Sequence, residues 1–152
     1  MSDIAIKCSP FFNQLAGRHP DWLEELRQSG RLDTPSHPQS ETLQQTIKKT
    51  NLEAGLRQFR NREMMRLIWR DLNHQAPVEE TLLDLSGLAD VCLEAAVNHH
   101  SKALVEKHGT PRNAEGEVQK LVIIGLGKLG GYELNMSSDV DIIFCYPDKG
   151  VC

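Results

Sequence analysis

The stretch LVIIGLGKLGGYELNMSSDVDIIF, residues 121–144, leaves this chain few folds to choose from. Its first four residues are a continuous apolar run, which reads as a strand buried on both faces. The run ends in Gly125, Gly127 and Gly130, the GxGxxG order of a dinucleotide-binding turn. In such a unit the glycines open a helix of several turns, and the acid that meets the ribose follows about 20 residues on. Here only residues 129–134 remain for a helix before Asn135, whereas a parallel crossover takes about a dozen residues or more. A dinucleotide-binding oxidoreductase of Rossmann type is therefore the lesser alternative.

Asp139 and Asp141 turn the argument elsewhere. A second strand is expected over residues 140–146, and side chains two apart on a strand share a face. At the start of that strand the two carboxylates then lie side by side, with Val140, Ile142 and Phe144 on the opposite face. Adjacent like charges are costly unless something neutralises them, and a divalent cation does so. Paired carboxylates together with phosphate oxygens are the hard ligands that Mg²⁺ takes. Asp139 and Asp141 are thus the candidate metal-binding and catalytic residues. The bland reading of the same pair is a solvated strand end.

The glycine turn favours the chemical reading, because backbone N–H groups at such a turn meet anions. Gly125, Gly127, Lys128, Gly130 and Ser138 are the candidate nucleotide-binding residues. Lys128 is either a point charge for phosphate or a solvated turn lysine, and Ser138 bonds substrate or caps the strand entry.

The rest of the chain is written in helical grammar. Ser9 before Pro10 is an N-cap with proline at the first helical position, and a second helix starts at Pro20 and runs toward Gly30. Residues 34–40, with two prolines, form a loop. Helical periodicity resumes at Glu41 and lasts to Pro77, as one long helix or two broken ones. A further stripe from Leu82 to Leu104 ends at Gly109, and Gly87 marks a point where it can break. Polar residues 110–120 separate these helices from the strands. The expected class is α+β, with a helical region over 1–110 and the strand, short helix and strand over 111–152.

Composition narrows the function. A formal net charge of −4 and 5% aromatic residues give no general basis for binding nucleic acid. No apolar run approaches the length of a membrane span, and no signal-peptide pattern opens the chain. Cys8, Cys92, Cys145 and Cys152 show neither a disulfide framework nor zinc spacing, which fits a reducing cytoplasm. Arg57, Arg60, Arg62, Arg66 and Arg70 lie along one helix among acids. A solvated, salt-bridged face is the ordinary reading of such a row, and a phosphate or partner-docking surface is its rival. His99 and His100 are read as lying near a helix end, where they favour its dipole.

The 121–144 motif resembles the nucleotidyltransferase superfamily that includes DNA polymerase beta and kanamycin nucleotidyltransferase, although Gly127 and Lys128 stand where that family usually has glycine-serine. GKLGGYELN followed by SSDVD is more narrowly similar to the bifunctional glutamine synthetase adenylyltransferase/adenylyl-removing family, and within it to the amino-terminal, adenylyl-removing copy. HPDWLEEL at 19–26, LRQFRNREMMR at 56–66 and HGTPRNAEGE at 108–117 carry the same resemblance in family order.

The resemblance implies a polymerase-beta-like domain of which this chain holds the beginning, with a third carboxylate on a later strand, no turnover by the fragment alone, and apolar faces at Leu121 to Ile124 and Ile142 to Phe144 left without cover. It implies Mg²⁺ held by Asp139 and Asp141, and phosphorolysis of AMP from a glutamine synthetase tyrosine to give ADP. It also implies a separate half that transfers AMP from ATP under a nitrogen-regulatory signalling protein. A third possibility is a non-catalytic helical docking module over residues 1–110.

Overall fold

The computed structural model describes residues 4–148 and 150–152. Ser9 Oγ accepts the Phe12 N–H at 3.1 Å, and the capped helix α2 runs Pro10–Arg18 as its sequence predicts. Ahead of it stands a five-residue helix, α1 (Ile4–Cys8), that periodicity does not reveal; its Ile4 N–H donates to Asn73 Oδ1. Helix α3 (Pro20–Gln28) is closed by Gly30 at φ +73°.

The helical pattern from Glu41 to Pro77 is two helices, α4 (Ser40–Lys49) and α5 (Leu52–Leu72). Asn51 separates them, its side-chain oxygen accepting the Ala54 N–H as a new N-cap. A Cβ on Gly55 would lie 2.7 Å from Ile47 Cγ1, so glycine is what lets α5 fold back closely against α4. Helix α6 (Val78–His108) runs unbroken through Gly87. A glycine inside a helix costs about 1 kcal/mol, and the burial of Leu85 and Leu88 on either side offsets it.

Phe12, Leu26, Leu43, Phe59, Met65 and Leu67 fill the core of this bundle. Charged side chains run through its middle. Arg66, wholly buried, donates through Nε to Glu63 Oε2 at 2.9 Å and through Nη2 to Asp84 Oδ2 at 2.7 Å. Arg31 closes on Glu63 from the α3 side, and His37 reaches the other oxygen of Asp84. Arg70, also buried, binds Glu80 and the carbonyls of Leu32 and Gln75. This corrects the reading of the arginine row as one face. Arg57 and Arg60 are exposed, and Arg62 pairs with Glu25. Arg66 and Arg70 tie α5 to α6 and to the chain after α3, so they belong neither to a solvated face nor to a docking surface.

Strand β1 (Val122–Gly125) pairs with β2 (Ile142–Cys145) in antiparallel register, Gly125 opposite Ile142 and Val122 opposite Cys145. The antiparallel pairing rules against the dinucleotide-binding alternative, whose neighbouring strands run parallel. Between the strands lies the four-residue helix α7 (Gly127–Gly130), shorter and earlier than the expected 129–134.

The expectation of a first strand buried on both faces is not met: Val122 and Ile124 are exposed and Ile123 is half-buried. Only two strands make up this sheet. The alternation predicted for the second strand also fails, since Val140 is exposed and Phe144 is 60% exposed while Ile142 packs against the core. Arg112 bridges to both Val118 and Val151, which gives the polar 110–120 segment a small hairpin of its own.

Candidate functional site

The three glycines of the motif do different work. A Cβ on Gly130 would sit 2.5 Å from the Gly125 carbonyl oxygen, and one on Gly125 would sit 2.9 Å from Leu129 Cγ. These two glycines let α7 fold down tightly on the end of β1, with Leu129 buried beneath it. Gly127 instead adopts φ +52°, which favours glycine, and the position of a Cβ there faces open space. Lys128 is exposed beside it.

Leu126 N–H donates to the Asp141 carbonyl at 2.9 Å, extending the ladder by one bond and setting the glycine turn directly beside the aspartate segment. Asp139 and Asp141 therefore precede β2 rather than open it, a shift of two residues from expectation. Both are exposed, and neither carboxylate has a hydrogen-bond or ion-pair partner among the described residues. The turn before them is closed by its own side chains. Asn135 Oδ1 accepts from Ser137 N–H and from Ser138 Oγ, and Ser138 Oγ accepts the Asn135 N–H at 3.1 Å. Ser138 thus holds the turn that leads into Asp139.

Two contacts dock this segment on α6. Leu134 N–H donates to the buried Ser86 Oγ at 3.3 Å, and Tyr132 Oη donates to Asp90 Oδ2 at 2.8 Å. The hydrogen bond to Asp90, and then that carboxylate's charge, hold the Tyr132 phenol above its usual range. Tyr132 also carries φ +56°. Its N–H bonds the Leu129 carbonyl and the next N–H bonds that of Lys128, the double closure of a helix end whose left-handed position ordinarily takes glycine. A side chain there costs about 1–2 kcal/mol. Tyr132 and Asp90 were not singled out by the sequence reading. The signal available was a tyrosine following two glycines at a helix end.

The donor set suits Mg²⁺. Two carboxylates two positions apart, without a partner among the described residues, offer hard oxygens, and Mg²⁺ commonly completes its shell with substrate phosphate and water. Asp139 and Asp141 would hold it. Among the described residues no group of three or more His, Cys, Asp or Glu side chains is placed to hold a metal.

A cleft of about 270 Å³ adjoins the segment, with Ser138 and Val140 on one wall and Arg60 and Cys92 on the other. Burial pushes the Cys92 thiol up to about 11, against the opposing pull of Arg60. His99 and His100 pack edge to face inside α6, well before its last turn, where Lys107 and His108 stand instead. Their predicted role at the helix end is thus not met.

A helical bundle carrying a glycine turn and two free aspartates on a docked hairpin defines a class that the comparisons with known proteins make specific. The model of the glutamate-ammonia ligase adenylyltransferase family matches residues 4–152. Curated relatives named bifunctional glutamine synthetase adenylyltransferase/adenylyl-removing enzyme include one from Thioalkalivibrio sulfidiphilus, 45% identical over 93% of this chain. Another, from Pseudomonas aeruginosa, is 40% identical over 93% of it. A third, from Vibrio parahaemolyticus, is 52% identical over 62%. The chain belongs to the glutamate-ammonia ligase adenylyltransferase family. It spans 15% of the length of the first two of these relatives and 10% of the third. Among the described residues no helix is long and apolar enough to cross a membrane.

Proposed function

We propose that this chain is the part of a glutamine synthetase deadenylylating enzyme that supplies two metal-binding carboxylates and the glycine turn for phosphate. The observation that carries the reading is the Leu126–Asp141 backbone bond, which joins the glycine turn to a segment with two exposed aspartates that have no hydrogen-bond or ion-pair partner among the described residues. The reaction is phosphorolysis. An oxygen of inorganic phosphate attacks the phosphorus of a tyrosine-linked AMP, the bond from phosphorus to the tyrosine oxygen breaks, and ADP leaves with the tyrosine hydroxyl restored.

Mg²⁺, when bound, neutralises phosphate charge and stabilises the displacement. Asp139 and Asp141 hold their carboxylates toward solvent, where phosphate arrives. Gly127 keeps the turn open to close approach of a phosphate, and Lys128 adds a positive charge within the same turn. Ser138 orders the entry to Asp139. The partner is glutamine synthetase, with ATP, ADP and AMP groups as the nucleotides handled by the whole enzyme and a nitrogen-regulatory signalling protein as its controller. A cytoplasmic location agrees with four cysteines that are free of disulfides.

The test is made in a full-length protein carrying this segment. Asp139→Asn and Asp141→Asn are each expected to lower phosphate-dependent ADP release from adenylylated glutamine synthetase by at least about 100-fold, because several kcal/mol of charge stabilisation goes with the metal. Release within about twofold of the parent rate would overturn the reading.

A further inference from the structure

Tyr132 pays a backbone penalty that glycine would avoid, so its side chain must supply something glycine cannot. It occupies the left-handed closing position of α7 at φ +56°, directly after Gly130 and Gly131. Its phenol spans to α6 and donates to Asp90 at 2.8 Å, 42 residues away in sequence. Two residues on, Leu134 N–H meets Ser86 one turn earlier on the same helix. Both contacts fall on the link between the glycine turn and the Asn135–Ser138 turn that leads into Asp139. Strained backbone of this kind persists where the surroundings over-determine it, and such positions concentrate at working sites.

We infer that Tyr132 and Asp90 are a positioning pair, a tether from α6 that fixes the glycine turn relative to Asp139 and Asp141. The inference rests on the metal-site reading above and adds to it residues that touch neither metal nor phosphate. The tether acts by restricting the turn, so its loss lowers affinity for a cation without unfolding the bundle. The phenol's raised titration range keeps it protonated, and so donating, throughout neutral pH.

The experiment uses Mn²⁺ as the probe, followed by water-proton relaxation, with the thermal midpoint and amide exchange of residues 126–138 recorded on each variant. Tyr132→Phe and Asp90→Ala are each expected to weaken Mn²⁺ binding about tenfold and to speed exchange in that segment, as loss of one charge-assisted hydrogen bond would do. The double variant is expected to be no weaker than either single one.

Tyr132→Gly separates positioning from folding. It relieves the backbone and keeps the thermal midpoint, yet it is expected to match Tyr132→Phe in lost affinity. Parent-like Mn²⁺ affinity in Tyr132→Gly or Tyr132→Phe, with Asp139→Asn still abolishing binding, overturns the positioning pair and leaves the metal site standing. Failure of the parent chain itself to bind Mn²⁺, or binding that survives Asp139→Asn, overturns the metal reading and the role given to the pair with it.

Discussion

Charge is handled in opposite ways in two regions of this molecule. Between α5 and α6, Glu63, Arg66 and Asp84 are almost wholly withdrawn from solvent, and each carboxylate is matched by a cation. Before β2, Asp139 and Asp141 are exposed, two positions apart in sequence, and without an ion-pair partner among the described residues. Removing an ion from water costs several kcal/mol, so charges accept burial only with partners in good geometry. Two like charges on the surface keep their hydration, and any mutual repulsion is what a cation would relieve. The first arrangement fixes how helices meet, and the second leaves two carboxylates open to solvent.

Changing one member of each set should therefore give opposite results. Arg66→Ala strands Glu63 and Asp84 in the core, and a loss of about 3–5 kcal/mol in urea-monitored unfolding is expected. A loss below about 1 kcal/mol would mean that water reaches the pair and the contrast is false. Gly130→Ala comes next. Its Cβ would fall 2.5 Å from the Gly125 carbonyl oxygen, so about 1–3 kcal/mol of overpacking strain is expected, with faster amide exchange at the start of β2.

A smaller effect appears in alkali. The folded state holds Cys92 protonated to about 11 against an ordinary thiol value of 9.0. Its contribution is therefore complete below pH 9 and is lost as pH rises toward 11. Cys92→Ser should flatten that part of the stability profile. At pH 8 the same shift should make Cys92 alkylate roughly 100-fold more slowly than a small-molecule thiol of ordinary range. The smallest change belongs to Asp139→Asn and Asp141→Asn, each expected within about 0.5 kcal/mol of the parent, since neither carboxylate has a partner among the described residues.

What the sequence disclosed follows the same division. Caps and breakers are local, so Ser9, Pro10, Pro20, Gly30 and Gly109 mark helix ends that the structure contains. The short link between the two strands was legible because its length excludes a long crossover helix. Arg66 and Arg70 were misplaced because helical periodicity assigns a face to a residue without saying what packs on it. Their partners Asp84 and Glu80 lie on α6, beyond any local pattern. An apolar run signals a preference for cover, and two strands with one short helix supply little of it, so the exposed faces at Val122, Ile124 and Phe144 are the ones expected. Tyr132 escaped notice because its role depends on a contact 42 residues distant.

The central claim is that the unmatched pair, and not the matched one, takes a divalent cation. Paramagnetic broadening of backbone amide resonances by added Mn²⁺ tests this directly. Broadening confined to the glycine turn and residues 138–142, reversed by Mg²⁺, is the expected result. Broadening centred on Glu63 and Asp84, or a uniform spectrum unchanged by the ion, would contradict it.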